Sequence, residues 1–247
     1  MATQKVTISE NQLLITYEGE VIKAKDLLSK NRSILSYDGE YRSASVTNIK
    51  SIDKELVTLY GAQGRTIKCS KDTVFLGDNR AVAIPSKDTT DIIKVFRYCP
   101  LFGNLNLSKI KLDYLSSSLF NLQDKRPNTH ISQTIPLFIS KLNRKSLKYL
   151  LNYICQKGVI KHLDQQSKDL MIILLSKLGI YFDGQPKHHS SNITGTLKLL
   201  KPKTNVRFNK LKSESIGLLE KCTDKALELS FSKRTTPIIG SFLCQTS

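Results

Sequence analysis

Short apolar runs broken by turn residues fill the first part of the chain. NQLLITYEG, VIKAKDLL, SILSYDGEYRSASVTNI, ELVTLYGAQGRTIKCS and TVFLGDNRAVAIPS are rich in β-branched and aromatic residues, the composition of half-buried strands. Glu18-Gly19, Asp38-Gly39, Gly61, Gly64 and Gly77-Asp78-Asn79 punctuate them, as hairpin turns do. The pattern predicts an all-β unit over residues 1–96, closing with Pro85 and the polar stretch 86–91.

Beyond Pro100 the spacing lengthens. KLDYLSSSLFNLQ is the first candidate helix, and residues 125–134 are a polar connector. In IPLFISKLNRKSLKYLLNYICQKG, Leu142, Leu147, Leu150, Leu151 and Ile154 recur near helical spacing. Asn143 is placed to cap that helix and Gly158 to stop it. SKDLMIILLSKLGI reads as a further helix, with Ser167 as cap and Gly179 as terminator. NITGTLKLL and NVRFNKL are strands, or a strand and the start of a helix, and ALELSFSKRTTPIIGSFLCQTS returns to β character. This order predicts an α+β fold: a β-rich domain of residues 1–96 with 226–247, and an α/β domain of residues 97–225 inserted before the C-terminal strands.

Charge sharpens that division. The 247 residues carry 38 Lys and Arg against 21 Asp and Glu, a net charge of +17. Residues 125–212 hold 17 of the basic groups and three acids, Asp164, Asp169 and Asp183, whereas the last 35 residues hold four of each. Such a field attracts phosphate by counterion release, which points to nucleic acid, DNA or RNA, as partner. A lysine-rich, solubilising surface is the plainer alternative. Lys141, Arg144, Lys145 and Lys148 cluster on and before the predicted helix, and Lys157 and Lys161 follow. Lys198, Lys201, Lys203, Arg207 and Lys210 form a second run beside Leu197, Leu199 and Leu200. Tyr149, Tyr153, Tyr181, Phe182 and Phe208 lie among these groups, where rings can stack on bases. At helical spacing, Tyr149 and Tyr153 read as core.

Cysteine usage excludes other chemistry. Cys69, Cys99, Cys155, Cys222 and Cys244 form no CxxC pair, and no histidine stands at metal-ligand spacing from them. They read as reduced, mostly buried thiols of an intracellular protein rather than as zinc ligands. His188-His189 is a polar loop pair, and Cys244 a core residue. The start, MATQKVTISENQ, has no apolar core of a secretory signal. No run of about 18 apolar residues offers a membrane span. A cytoplasmic or organelle-matrix location, with no membrane partner, is expected.

Two segments carry a resemblance to a known family. LLITYEGEVIKAKDLL is similar to the opening of the Hint (hedgehog/intein) domain. Gly64-Arg65-Thr66-Ile67-Lys68-Cys69-Ser70-Lys71-Asp72-Thr73-Val74-Phe75-Leu76 is similar to its G-R-x-I-K-x-T-x-x-H segment and the strand that follows, with Thr73 at the histidine position. IPLFISKLNRKSLKYLLNYICQKGVIKHLDQQSKDLMIILLSKLGI resembles the second half of a LAGLIDADG homing endonuclease insert. The resemblance implies a Hint-like β domain and a LAGLIDADG-like α/β domain, with the strands after the helices on the DNA-facing side.

Departures from the family pattern decide what the resemblance implies about activity. Splicing there needs a Cys or Ser nucleophile at the first residue; this sequence has Met1, and its register puts the slot near Thr7 to Ser9. Thr73 cannot act as the general acid that the histidine supplies. The family's terminal His-Asn pair is replaced by residues of the run Phe242-Leu243-Cys244-Gln245-Thr246-Ser247. Where the endonuclease places carboxylates for divalent metal, Cys155 and Lys157 stand. No catalytic residue, metal site or cofactor is therefore expected, and the function implied is nucleic-acid binding with splicing and cleavage lost. Two alternatives remain open: a structural RNA-binding component of a ribonucleoprotein or polymerase assembly, and an active Mg²⁺-dependent homing endonuclease using Asp113, Asp124 or Asp164.

Overall fold

The structure, a computed structural model, describes residues 4–29, 33–61, 64–78, 80–84, 91–96, 98–120, 134–157, 159–180, 182–185, 195–199 and 211–246. The first part is built of strands β1 (Gln4–Ser9), β2 (Leu13–Ile15), β3 (Val21–Lys23), β4 (Ser33–Asp38), β5 (Glu40–Ile52), β6 (Leu56–Gly61) and β7 (Thr66–Ser70). β8 (Val74–Leu76), β9 (Ala81–Val82) and β10 (Asp91–Phe96) follow. Next come helix α1 (Lys109–Phe120), helix α2 (Arg144–Lys157), strand β11 (Val159–Leu163) and helix α3 (Gln165–Lys177). β12 (Phe182–Gln185), β13 (Gly195–Leu199), β14 (Leu211–Cys222), β15 (Ala226–Phe231), β16 (Ile238–Ile239) and β17 (Phe242–Gln245) complete the described elements.

Fourteen of these strands form one large antiparallel sheet. Its order is β3-β2-β16-β17-β10-β14-β6-β7-β1-β15-β5-β4, with β8 pairing β17 and β9. β11, β13 and β12 form a separate three-stranded sheet beside the helices. The β-rich architecture expected for the first part and the tail is present. Within it, Ala24–Ser29 is a 3₁₀ helix rather than a continuation of the strand VIKAKDLL, and it buries Leu27. β14 comes from a stretch grouped by sequence with the basic insert, yet it lies between β10 and β6 in the large sheet.

Two cores hold the molecule. One lies inside the large sheet, around Ile8, Leu59, Ile67, Phe75, Leu229 and Phe242. The other joins strand residues Leu13, Ile15, Val21, Ile238 and Leu243 to Leu147, Leu150 and Leu151 of α2 and to α3. Leu170 to Leu175 of α3 are all buried, which a helix tolerates only when covered on every side. Its cap is Asp164, whose carboxylate accepts the Ser167 N–H at 2.7 Å; Ser167, the expected cap, instead accepts the Ile135 N–H at 2.7 Å. Gly179 ends α3 as expected, at φ +70. Gly179 N–H donates to the Ser176 carbonyl and Ile180 N–H to that of Leu175, the paired bonds of a left-handed C-terminal cap. Among the described residues no helix is long and apolar enough to cross a membrane.

Candidate functional site

The segment that resembles the Hint motif and the last strand of the chain come together. β8 and β17 pair with Val74 opposite Gln245 and Phe75 opposite Cys244. That register sets Thr73 and Thr246 at the same end of the ladder. The Thr246 hydroxyl accepts the Thr235 N–H at 3.1 Å and approaches Gln4 Oε1 at 3.3 Å. Thr73 closes a turn by donating its N–H to the Ser70 carbonyl, and the two hydroxyls are 3.3 Å apart. Among the described residues, hydroxyls and an amide gather here without an imidazole.

Burial raises the neighbouring thiols. Cys69 is fully buried, and burial pushes its thiol up to about 12. Burial likewise holds Cys244 well above the ordinary thiol range. Neither supplies thiolate near neutrality, and thiolate is the nucleophilic form. In β1, Ser9 is fully buried and donates its hydroxyl to Asp224 at 2.6 Å. Lys68 donates to the same carboxylate at 3.0 Å. Burial alone would raise Asp224, but the bonds from Ser9 and Lys68 outweigh it and hold the carboxyl below its usual range.

The carboxylates considered for metal have other partners. Asp113 accepts the Tyr149 hydroxyl at 2.7 Å. Asp164 caps α3 and accepts the Thr134 hydroxyl at 2.8 Å. Among the described residues no group of three or more His, Cys, Asp and Glu could hold a metal ion. Asp124 lies outside the described residues.

The basic cluster is different. Lys141, Arg144, Lys145 and Lys148 are all exposed. Asn143 Oδ1 accepts the Ser146 N–H at 2.9 Å, so α2 starts where the sequence placed its cap. The first three cations thus stand at the helix end whose backbone dipole is already positive, where like charge is disfavoured. Arg144 lies 5.9 Å above the Phe102 ring. None of the four has a carboxylate within salt-bridge distance among the described residues. Some lysines of the large sheet and its turns are paired instead: Lys54 meets Asp72 at 2.6 Å, Lys71 meets Glu55 at 3.0 Å and Lys221 meets Glu55 at 3.1 Å.

Of the other expected contacts, Lys157 ends α2, Lys161 lies in β11 and Lys198 in β13, opposite Val159 and Asp183. Lys201, Lys203, Arg207 and Lys210 lie outside the described residues, as do His188-His189, Tyr181 and Phe208. Tyr149 departs from its core reading: it is 40% exposed. Sequence reasoning overlooked Ile110 and Tyr114, which form a second stripe on α1 four residues apart and off the Leu112, Leu115, Leu119 stripe. That second stripe was the available signal.

A polar seam fastens the helical layer to the sheet. Asp169 accepts the Thr66 N–H at 3.0 Å, the Thr66 hydroxyl, and Gln165 Nε2 at 3.2 Å. Burial raises its carboxyl to about 6 against these bonds. At the other end of α3, the buried Lys177 ammonium donates to the Gly19 carbonyl, and burial lowers it to about 8.

No family model and no curated relative matches the chain. Among solved structures it is similar to a mutant of the Ssp DnaB mini-intein variant M86, at 13% identity and a TM-score of 0.43, covering 98% of this chain and 99% of that one. It is also similar to a DnaB intein from Synechocystis sp. PCC 6803, at 12% identity and a TM-score of 0.39, covering 98% and 99%. The M86 variant itself matches over 44% of this chain and 71% of its own, at 25% identity and a TM-score of 0.35.

Proposed function

We propose that this chain is a Hint-like β module without a working splicing centre, carrying a helical insert that holds nucleic acid by its phosphates. The observation that carries the binding reading is the set Lys141, Arg144, Lys145 and Lys148: exposed, adjacent, at the positive end of α2 and unpaired among the described residues. Phosphate replaces the missing carboxylates, releasing counterions as it binds. The first turn of the helix adds N–H groups of the same polarity.

Support for the Hint-like reading comes from the chain itself. The segment similar to the G-R-x-I-K motif forms β7, next to β1, and the turn after it meets the last strand through β8. Loss of splicing is supported by Thr73 in place of an imidazole and by thiols that burial keeps protonated. Loss of cleavage is supported by the engagement of Asp113 with Tyr149 and of Asp164 with the α3 cap.

The test replaces all four side chains, Lys141→Glu, Arg144→Glu, Lys145→Glu and Lys148→Glu, and compares binding of duplex DNA and structured RNA with that of the parent chain. Binding that collapses while the unfolding transition persists supports the reading. Unchanged affinity for both ligands contradicts it.

A further inference from the structure

The face shared by α1 and α2 combines exposed rings with exposed cations. Ile110 is 81% exposed and Tyr114 77%. Four residues apart on a helix, they share one face. Leu112, on the other side, is buried, and Leu115 and Leu119 pack against the helical core. The Ile110–Tyr114 strip is thus no part of what folds the helix. Tyr149 of α2 is brought beside that strip, because its hydroxyl donates to Asp113 at 2.7 Å, and Asp113, three residues after Ile110 and next to Tyr114, flanks the strip on the α1 surface. Lys109, Lys111, Lys145 and Lys148 are exposed around these rings and have no carboxylate partner among the described residues.

We propose that this face binds unpaired nucleotides, with bases stacking on Tyr114 and Tyr149 while the surrounding lysines hold the phosphates. The proposal deepens the nucleic-acid reading and rests on it. A duplex presents phosphates to the lysines but hides the faces of its bases, so rings add nothing to duplex binding. A single strand offers both, and every base has a face to stack. A second copy of this chain is disfavoured by its own lysines at the same face. An anionic bilayer would find a strip of one isoleucine and two tyrosines, narrow beside the apolar face by which interfacial helices insert.

The experiment measures binding of the full chain to labelled oligo-uridylate, oligo-thymidylate, a duplex of equal length, and phosphatidylserine vesicles at one salt concentration. Variants Tyr114→Ala and Tyr114→Phe are compared with the parent. The proposal expects unpaired strands to bind more tightly than duplex. It expects Tyr114→Ala to weaken single-strand binding on the order of tenfold, with duplex binding unchanged and Tyr114→Phe close to the parent. If Tyr114→Ala leaves single-strand binding unchanged, or weakens both ligands alike, the stacking face is refuted while the basic-face reading stands. If no strand binds, or only vesicles do, both readings fall.

Discussion

The Asp169 carboxylate accepts the Thr66 backbone N–H at 3.0 Å across 103 positions of sequence, and so ties α3 to the start of β7. One acidic side chain thereby joins the helical layer to the segment that resembles the Hint motif. Replacing it with leucine leaves the Thr66 N–H and hydroxyl without their acceptor, which costs about 1–3 kcal/mol. Urea unfolding of Asp169→Leu checks this.

The same group has a signed pH dependence. Its carboxyl is raised by burial to about 6 from 3.8, so in that window the folded state binds more protons than the unfolded one. Its contribution is present at low pH and lost as pH rises through about 6. Other carboxylates oppose it, since Asp72 and Asp224 are lowered, and the effect must be read as a difference. The stability of the parent minus that of Asp169→Asn should increase as pH falls from about 7 to about 5.

Lys177 provides a second titration, displaced the other way. Burial lowers it from 10.5 to about 8, so between those values the unfolded state binds the extra proton and stability rises with pH. The stability of the parent minus that of Lys177→Met should rise between about pH 8 and 10. The raised thiols of Cys69 and Cys244 oppose it in that window, so the reading is the difference between parent and variant, and a difference that does not change with pH would mean that the ammonium at Gly19 is solvated.

Thiol accessibility follows from burial. Cys69 and Cys244 are fully buried with raised thiols, while Cys222 is partly exposed. Brief alkylation of native protein, followed by peptide mass analysis, should label Cys222 before either of the other two. Labelling of Cys69 or Cys244 at the rate of unfolded chain would contradict their burial.

Capping offers a local test with a contrast built in. Asp164→Ala removes the acceptor of the Ser167 N–H and should cost about 1 kcal/mol. Ser167 was the expected cap, and Asp164, three residues earlier, is as good a capping residue by propensity. The fold decided, because Ser167 is needed by Ile135. Local signals of this kind were otherwise legible: the Asp38-Gly39 turn does join β4 to β5, Asn143 starts α2 and Gly179 ends α3. What the sequence concealed was long-range. LKSESIGLLEKC carries little alternation, and its place between β10 and β6 depends on partners over a hundred residues away. Tyr149 read as core because helical spacing says which residues share a face, not which face is covered. The cationic cluster was legible because charge excess survives any error in element boundaries.

The salt dependence of binding tests the central claim most directly. Affinity of the full chain for duplex DNA and for structured RNA is measured across a salt series, and the logarithm of the binding constant is plotted against that of salt concentration. Four phosphate contacts from Lys141, Arg144, Lys145 and Lys148 predict a slope of about −3 to −4 on duplex DNA, reduced by about one for each cation removed. Weak binding with a flat slope on both ligands would contradict the account, and the charge on α2 would then serve something other than nucleic acid.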